Sequence, residues 1–269
     1  PSLGPKRVQL LYKNMGIKSL QDLQKAAVNK EILELKGFGE KTRVGILLAL
    51  KKLQTKTPTR MKLNDAEEVA KSLLQYLKKN NFIQQAVVAG SYRRRQETVG
   101  DIDILVTTTD QQSVMKHFLK NKDIAEVLAQ GSTRSTVILR SGVQIDLRVV
   151  PEVSYGAALL YFTGSKAHNV ALRTMALNQG YKINEYGLFK GEKILASAFE
   201  EDIYHALRLP YIEPELRENN GELEAALQRA LPKLVTQEDI QGDLHAHTLA
   251  TDGTETISGM ATAAQKLGY

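Results

Sequence analysis

Three aspartates are the residues best placed to do chemistry in this sequence. Asp101 and Asp103 flank Ile102 near the start of the apolar run Ile102-Asp103-Ile104-Leu105-Val106. Side chains two apart on a strand share a face, with Cα atoms roughly 6–7 Å apart, so both carboxylates look one way while Ile102 and Ile104 look the other. Carboxylates that close repel and do not both ionise cheaply without a cation between them. Asp146 lies in Val143-Gln144-Ile145-Asp146-Leu147-Arg148-Val149-Val150, which alternates like a half-buried strand. A neighbouring strand of one sheet brings it beside the pair. Three carboxylates can hold two ions, magnesium or manganese, roughly 3.5–4 Å apart for an in-line phosphoryl displacement. A solvated edge strand is the plainer reading of Asp-x-Asp alone.

The residues upstream tip the balance. Gly90-Ser91 ends an apolar run, glycine lets backbone approach a ligand closely, and amides at such a turn cradle phosphate. Arg93, Arg94 and Arg95 add cations suited to phosphate oxygens. Phosphate cradle, cations and paired carboxylates in one short unit read as a nucleotidyl-transfer site. Gly-Ser, a spacer, Gly100-Asp101-Ile102-Asp103 and a later strand aspartate together resemble the nucleotidyltransferase superfamily.

The chain of 269 residues is long enough for two or more small domains. No apolar run approaches the roughly 18 residues of a membrane span, and the N-terminus lacks signal-peptide architecture and an initiator Met, as expected of an excised fragment. With no cysteine there are no disulfides or thiolate metal sites, which fits a cytoplasmic protein. The net charge of +6 is unevenly spread: residues 1–57 hold 12 Lys and Arg against 4 Asp and Glu. A polyanion should therefore meet the first half.

Four segments position these residues. Residues 1–57 contain two similar units, one around Leu3-Gly4-Pro5-Lys6 and one around Gly37-Phe38-Gly39-Glu40-Lys41, each a glycine turn opening a helix. Both resemble the helix-hairpin-helix module, whose turn amides grip DNA phosphates without reading sequence; Ser2 stands where the first unit's leading glycine would be. Residues 55–60 read as a linker. Residues 58–150 predict an α+β palm with a mixed sheet: a helix capped by Asn64 and running to about residue 80, helices over 111–119 and 123–128, a strand over 136–140, and the Asp146 strand. His117 reads as helix surface. Residues 151–232 predict a small α+β subdomain, with an apolar helix broken at Thr163-Gly164, a second helix carrying Asn169 and Arg173 one turn apart, and a last helix over 222–231. Tyr161 and Phe162 fit core aromatics equally well by pattern alone.

Tyr161-Phe162-Thr163-Gly164-Ser165, then Asn169, Arg173 and Gly180-Tyr181-Lys182-Ile183-Asn184-Glu185-Tyr186, closely resemble DNA polymerase family X, the polymerase beta-like enzymes, over residues 1 to about 232. The resemblance implies that Asp101, Asp103 and Asp146 bind two Mg2+ or Mn2+ ions, with Asp146 taking the primer 3′-hydroxyl proton. It implies that Gly90, Ser91, Arg94 and Gly100 hold the triphosphate of a dNTP, and that Tyr161, Phe162 and Gly164 lie against its sugar. Asn169 then contacts the incoming base, Arg173 the region of the template base, and Arg148 the metal carboxylates of an open site. Gly4, Lys6, Gly37, Gly39 and Lys41 are the implied DNA contacts. Four residues depart from the polymerase beta pattern: Lys166 for an acid, His168 for a carbocyclic aromatic, Val170 for a lysine and Gln144 for an arginine.

The implied function is template-directed gap filling in base excision repair by a monomer on primer-template or gapped DNA, cytoplasmic and nucleoid-associated. The alternatives are a template-independent nucleotidyltransferase, a DNA-binding scaffold with a degenerate site, or a fragment of a nuclease. The last arises from residues 233–269, where His245 and His247 are expected to share a strand face, with Asp252 beyond. That motif resembles the opening of the PHP phosphoesterase domain, a Zn2+ or Mn2+ site in the parent protein; these three ligands alone should bind metal weakly and give no phosphoesterase activity.

Overall fold

The computed structural model describes residues 3–55 and 60–269. The chain opens with α1 (Pro5–Met15), α2 (Leu20–Val28) and α3 (Glu40–Thr55). Gly16 ends α1 in the left-handed conformation, and a capping box between Ser19 and Asp22 starts α2. Leu11, Leu23, Ala27, Ile32, Phe38 and Ile46 form a separate core for this part. Ser2 and most of the expected linker, residues 56–59, lie outside the described residues.

Next come β1 (Met61–Lys62), α4 (Leu63–Leu77), β2 (Ile83–Val88), the one-turn α5 (Gly90–Arg93), β3 (Thr98–Val99) and β4 (Asp101–Thr108). They are followed by α6 (Gln111–Leu119), β5 (Ile124–Gln130), β6 (Arg134–Leu139) and β7 (Gln144–Val150). Five strands make one sheet in the order β2-β4-β7-β6-β5, with β4 and β7 parallel and the other neighbours antiparallel. It is the mixed sheet of an α+β palm. Alternation gives each face its own core. Ile102, Ile104, Val106, Ile145, Leu147 and Val149 pack under α4 and α6, against Ala70, Leu73, Leu77, Val114 and Phe118. On the opposite face Leu105 and Val150 meet Ala158 and Leu159 of α7 (Tyr155–Thr163). Asp101, Asp103 and Asp146 belong to that second face, by the same period of two.

The third part adds α8 (Lys166–Asn178), a three-stranded antiparallel sheet of β8 (Lys182–Asn184), β9 (Gly187–Lys190) and β10 (Lys193–Ala196), then α9 (Glu200–Ala206) and α10 (Glu222–Leu227). Leu160, Leu172, Ile183, Leu188, Ile203, Tyr204 and Leu223 fill its core. The last element is α11 (Ile257–Lys266). No helix among the described residues is long and apolar enough to cross a membrane.

Four expectations need correction. The segment expected as a helix over 123–128 is strand β5, which pairs Val127 with Val137 and Gln130 with Ser135. A helix that short nucleates poorly on its own, whereas the edge of β6 offers ready hydrogen-bond partners. Asn64 lies inside the first turn of α4 and Lys62 is the N-cap, because β1 delivers the chain straight into the helix. The last helix stops at Leu227, where Arg229 takes φ 55° and Ala230 N–H turns back to the Ala225 carbonyl. His245 and His247 lie on an irregular segment rather than a strand; no second strand pairs with it among the described residues, and a lone strand leaves its backbone groups unmatched.

Phe118 is fully buried between α6 and the sheet. Phe118→Ala should lower unfolding free energy by about 3–5 kcal/mol, read as a fall in the urea midpoint with an unchanged denaturant slope.

Candidate active site

The parallel ladder between β4 and β7 pairs Asp101 with Gln144, Ile102 with Ile145 and Asp103 with Asp146. The two strands thus set Asp103 and Asp146 side by side on one face, and Asp101 joins them two residues upstream. Gly90 is the other structural requirement. Its φ is 62°, and a Cβ there would lie 2.3 Å from Asp103 Oδ2, so only glycine lets α5 begin so close to the carboxylate.

Asp146 is held firmly. Thr136 Oγ1 donates to its Oδ1 at 2.5 Å, Gln144 Nε2 donates to its Oδ2 at 2.7 Å, and Arg134 Nη2 reaches Oδ1 at 3.3 Å. Arg148, expected against the carboxylates, sets its guanidinium over the Phe162 ring, 4.8 Å from the centroid, and its charge acts on Asp103 and Asp146 from there. The contact on Asp146 falls to Arg134, its antiparallel neighbour's strand mate, which pairs with Arg148 in the β6–β7 ladder. Among the described residues no group of three or more His, Asp or Glu is drawn tightly enough together to chelate an ion; Asp146 spends its oxygens on these neighbours.

The charge balance around the pair is strained. Burial, then the negative charges of Asp101 and Asp146, push the Asp103 carboxyl up to about 7. Asp101 is raised as well, by burial and by Asp146, with Arg60 pulling the other way. An all-oxygen donor set under mutual repulsion is what hard divalent cations such as magnesium and manganese neutralise best.

Asp101 and Asp103 open into a cleft of about 590 Å³ between the sheet and the third part of the chain, while Asp146 lies buried beside them and outside its lining. Gly90, Ser91, Arg94, Asp101 and Asp103 line one side; Tyr161, Phe162, Gly164, Asn169 and Arg173 line the other. Tyr161 and Phe162 pack edge to face, 5.1 Å between centroids, and Asn169 Nδ2 donates to the Tyr161 carbonyl at 2.7 Å. Arg94 spans the two sides, donating from Nη1 to the Thr163 carbonyl and from Nε to Glu218 Oε1, both at 2.5 Å. Gly164 has φ 73°, and a Cβ there would approach Arg94 Nη1 to 3.2 Å. Gly100 sits beside Arg60, whose guanidinium reaches Thr98 and also lines the cleft.

The expected DNA contacts lie elsewhere. Gly4, Lys6, Gly37, Gly39 and Lys41 are all exposed, and Arg7 over the Phe38 ring brings the two turns together. His245 and His247 stack at 5.1 Å, and His247 Nδ1 contacts Asp252 Oδ1 at 2.6 Å. His117 is half-buried, stacked on Tyr76 rather than lying free on the surface. Sequence reasoning missed Arg60, Arg134, Thr136 and Glu218. None shares a local motif with the aspartates, and only strand order or chain return brings them in.

Residues 1–52 match the SAM-like helix-hairpin-helix tandem, residues 59–145 the DNA polymerase beta palm and residues 158–218 the DNA polymerase beta thumb. The Bacillus subtilis DNA polymerase/3'-5' exonuclease PolX is 35% identical over 273 residues, covering 100% of this chain. The chain belongs to the family X DNA polymerases. It spans 47% of the length of that Bacillus relative. The repair DNA polymerase X of African swine fever virus is 28% identical over 154 residues, 54% of this chain and 85% of the viral protein. A ternary primer-template complex of Leishmania infantum polymerase beta shares the fold, with TM-score 0.62 and 23% identity over 80% of this chain and 94% of that one.

In this family X core the raised Asp103 has a measurable consequence. The folded protein keeps the Asp103 proton to about pH 7, whereas the unfolded chain gives it up near 3.8. Across that window the native state binds more protons, so this group's contribution to stability declines as pH rises. Metal-free wild type should lose melting temperature between about pH 4 and 7 relative to Asp103→Asn, which should melt higher than wild type at about pH 8. Thermal unfolding of both proteins in chelator across that range is the measurement.

Proposed function

We propose that this chain is a template-directed DNA polymerase that adds a nucleotide from a dNTP to a primer 3′-hydroxyl in gap filling and base excision repair. The observation that carries the reading is the register of Asp103 against Asp146, with Asp101 and Asp103 opening into a cleft walled by Arg94, Gly164, Asn169 and Arg173. Asp101, Asp103 and Asp146 are the residues to hold two Mg2+ or Mn2+ ions. When bound, those ions supply positive charge against the charge that develops on the transferring phosphate.

The remaining work belongs to the side chains. Asp146 accepts the 3′-hydroxyl proton on Oδ2, which among the described residues accepts only from Gln144 and keeps a lone pair for it. The primer oxygen bonds to the α-phosphorus, the bond from that phosphorus to the bridging oxygen breaks, and pyrophosphate leaves. Gly90, Ser91, Arg94 and Gly100 bind the triphosphate, with Arg94 exchanging Glu218 for phosphate oxygens. Tyr161, Phe162 and Gly164 lie along the sugar, Asn169 at the incoming base and Arg173 near the template base. The paired turns at Gly4–Lys6 and Gly37–Lys41 grip the duplex backbone.

Three of the four buried clusters lie within single segments and support a division into 1–57 for DNA binding, 58–150 for catalysis and 151–232 for nucleotide selection, with the fourth joining Leu105 and Val150 to Ala158 and Leu159 across the last boundary. Residues 233–269 then open a PHP-type domain, a reading supported by the stacked histidines and by the exonuclease in the name of the Bacillus relative. The enzyme works as a monomer in the cytoplasm, at the nucleoid.

Asp146→Ala should reduce primer extension on gapped duplex by about a thousandfold or more, while salt-sensitive binding of that duplex stays within about twofold. Equal incorporation of all four nucleotides on a single-stranded primer, without template, would overturn the templated reading.

A further inference from the structure

The inner stripe of α8 runs His168, Leu172, Ala176, one residue per turn, and all three are buried. Leu172 and Ala176 belong there by hydrophobicity. His168 is an imidazole with no exposure at all, and both of its nitrogens are engaged. Nδ1 lies 2.6 Å from Glu222 Oε1 and Nε2 lies 2.9 Å from the Tyr204 hydroxyl. Burial holds the imidazole below its usual value, against the pull of Glu222, so the ring is neutral near pH 7. A neutral ring has one donor and one acceptor. The carboxylate can only accept, so Nδ1–H donates to Glu222 and the Tyr204 hydroxyl donates to Nε2.

Glu222 is anchored in turn. Burial opposes its ionisation, but the hydrogen bond from His168 and those from the backbone outweigh it and hold the carboxyl below its ordinary range. The backbone donors are Asn219 N–H at 2.9 Å and Asn220 N–H at 2.7 Å. The strap formed by residues 217–222 holds the wall behind the cleft at three points, of which Arg94 alone lines the cleft itself. The Arg217 carbonyl accepts from Ser165 N–H at 2.9 Å, Glu218 takes Arg94, and Glu222 takes His168.

We infer that His168 and Glu222 are positioning residues, a buried clamp that sets the rotation of α8 and so the placement of Asn169 and Arg173 in the nucleotide cleft. The helix geometry makes the link direct. Asn169 and Arg173 follow His168 and Leu172 by one residue, about 100° round the axis, and line the cleft together with Gly164. Any change in how the inner stripe seats turns the outer one. A polar clamp specifies one seat, because a hydrogen-bonded pair has one good geometry where an apolar contact tolerates several. Misplacement of substrate contacts by about an ångström is enough to weaken a reacting geometry severely.

The inference rests on the polymerase reading, and the experiment separates the two. Wild-type protein is first assayed for extension of gapped duplex; no extension there overturns that reading and, with it, this one. Given extension, His168→Phe should raise KM for the templated dNTP by about five- to tenfold with kcat within about twofold. His168→Gln, whose amide can still donate to Glu222 and accept from Tyr204, should stay within about twofold of wild type in both. A clamp that served stability alone would lower the melting temperature and the active fraction, reducing kcat with KM unmoved, and that result overturns the inference. Should His168→Phe fail to fold by circular dichroism, Glu222→Gln takes its place. It should raise KM about threefold, and an unchanged KM would reject the clamp.

Discussion

The parallel pairing of β4 with β7 is the constraint on which the rest of the molecule depends. It sets Asp103 against Asp146 at adjacent positions of a sheet whose other face is fully packed. Neither strand can slip by one residue without turning Ile102, Ile104, Ile145 and Leu147 out of the core and the aspartates into it. The unfavourable meeting of carboxylates is thus imposed by apolar burial elsewhere on the same strands. Burial first, and then that meeting of charges, raises the Asp103 carboxyl. Gly90 belongs to the same constraint, since any side chain there would collide with Asp103.

The walls of the cleft are joined by a second arrangement of charge. Glu200 on α9 is buried, and it receives Arg93 of α5 at 2.9 and 2.6 Å and Arg217 at 2.6 Å. Burial opposes the charge on Glu200, and the two guanidinium groups more than offset it, leaving the carboxyl below its usual value. A buried carboxylate is costly to leave unpaired, so Arg93 holds its place between sheet and third part, where it also donates to Thr163 Oγ1 at 2.8 Å. Arg93 and Arg94 are sequence neighbours with opposite fates. The first is fixed among buried partners, and the second lines the cleft, bonded to the Thr163 carbonyl and Glu218.

Much of this was legible in the sequence where the signal was local. Alternation about Ile102 and Ile145 gave the faces of β4 and β7, and Gly90, Ser91 and Gly164 marked turns that the structure places at the cleft. The break at Thr163-Gly164 separates α7 from α8 as expected. What was not legible came from pairing between distant segments. Residues 124–130 carry no strong period, and only the open edge of β6 makes them a strand. Arg134 and Thr136 reach Asp146 because β6 lies next to β7, a fact of strand order that no spacing encodes. Arg148 was expected at the carboxylates and its charge does act on Asp103 and Asp146, but its seat over the Phe162 ring comes from the return of α7 and not from any spacing.

His168 shows most directly how a departure in sequence becomes a property of the fold. A histidine in place of a carbocyclic aromatic brings two polar nitrogens to a position with no access to water, and each needs a partner. Tyr204 meets one from α9, and Glu222 meets the other from the start of α10. The Glu222 partner exists only because the chain continues past Arg217 and folds back with Asn219 and Asn220 beneath the carboxylate. That returning segment also carries Glu218, the residue on Arg94. His168 thus adds a third tie to a strap already held through the Arg217 carbonyl and Glu218. An aromatic hydrocarbon at 168 would leave Glu222 with its backbone donors but without the donor that ties it to α8, and the strap would keep on that helix only the bond from Ser165 N–H, at its start, to the Arg217 carbonyl.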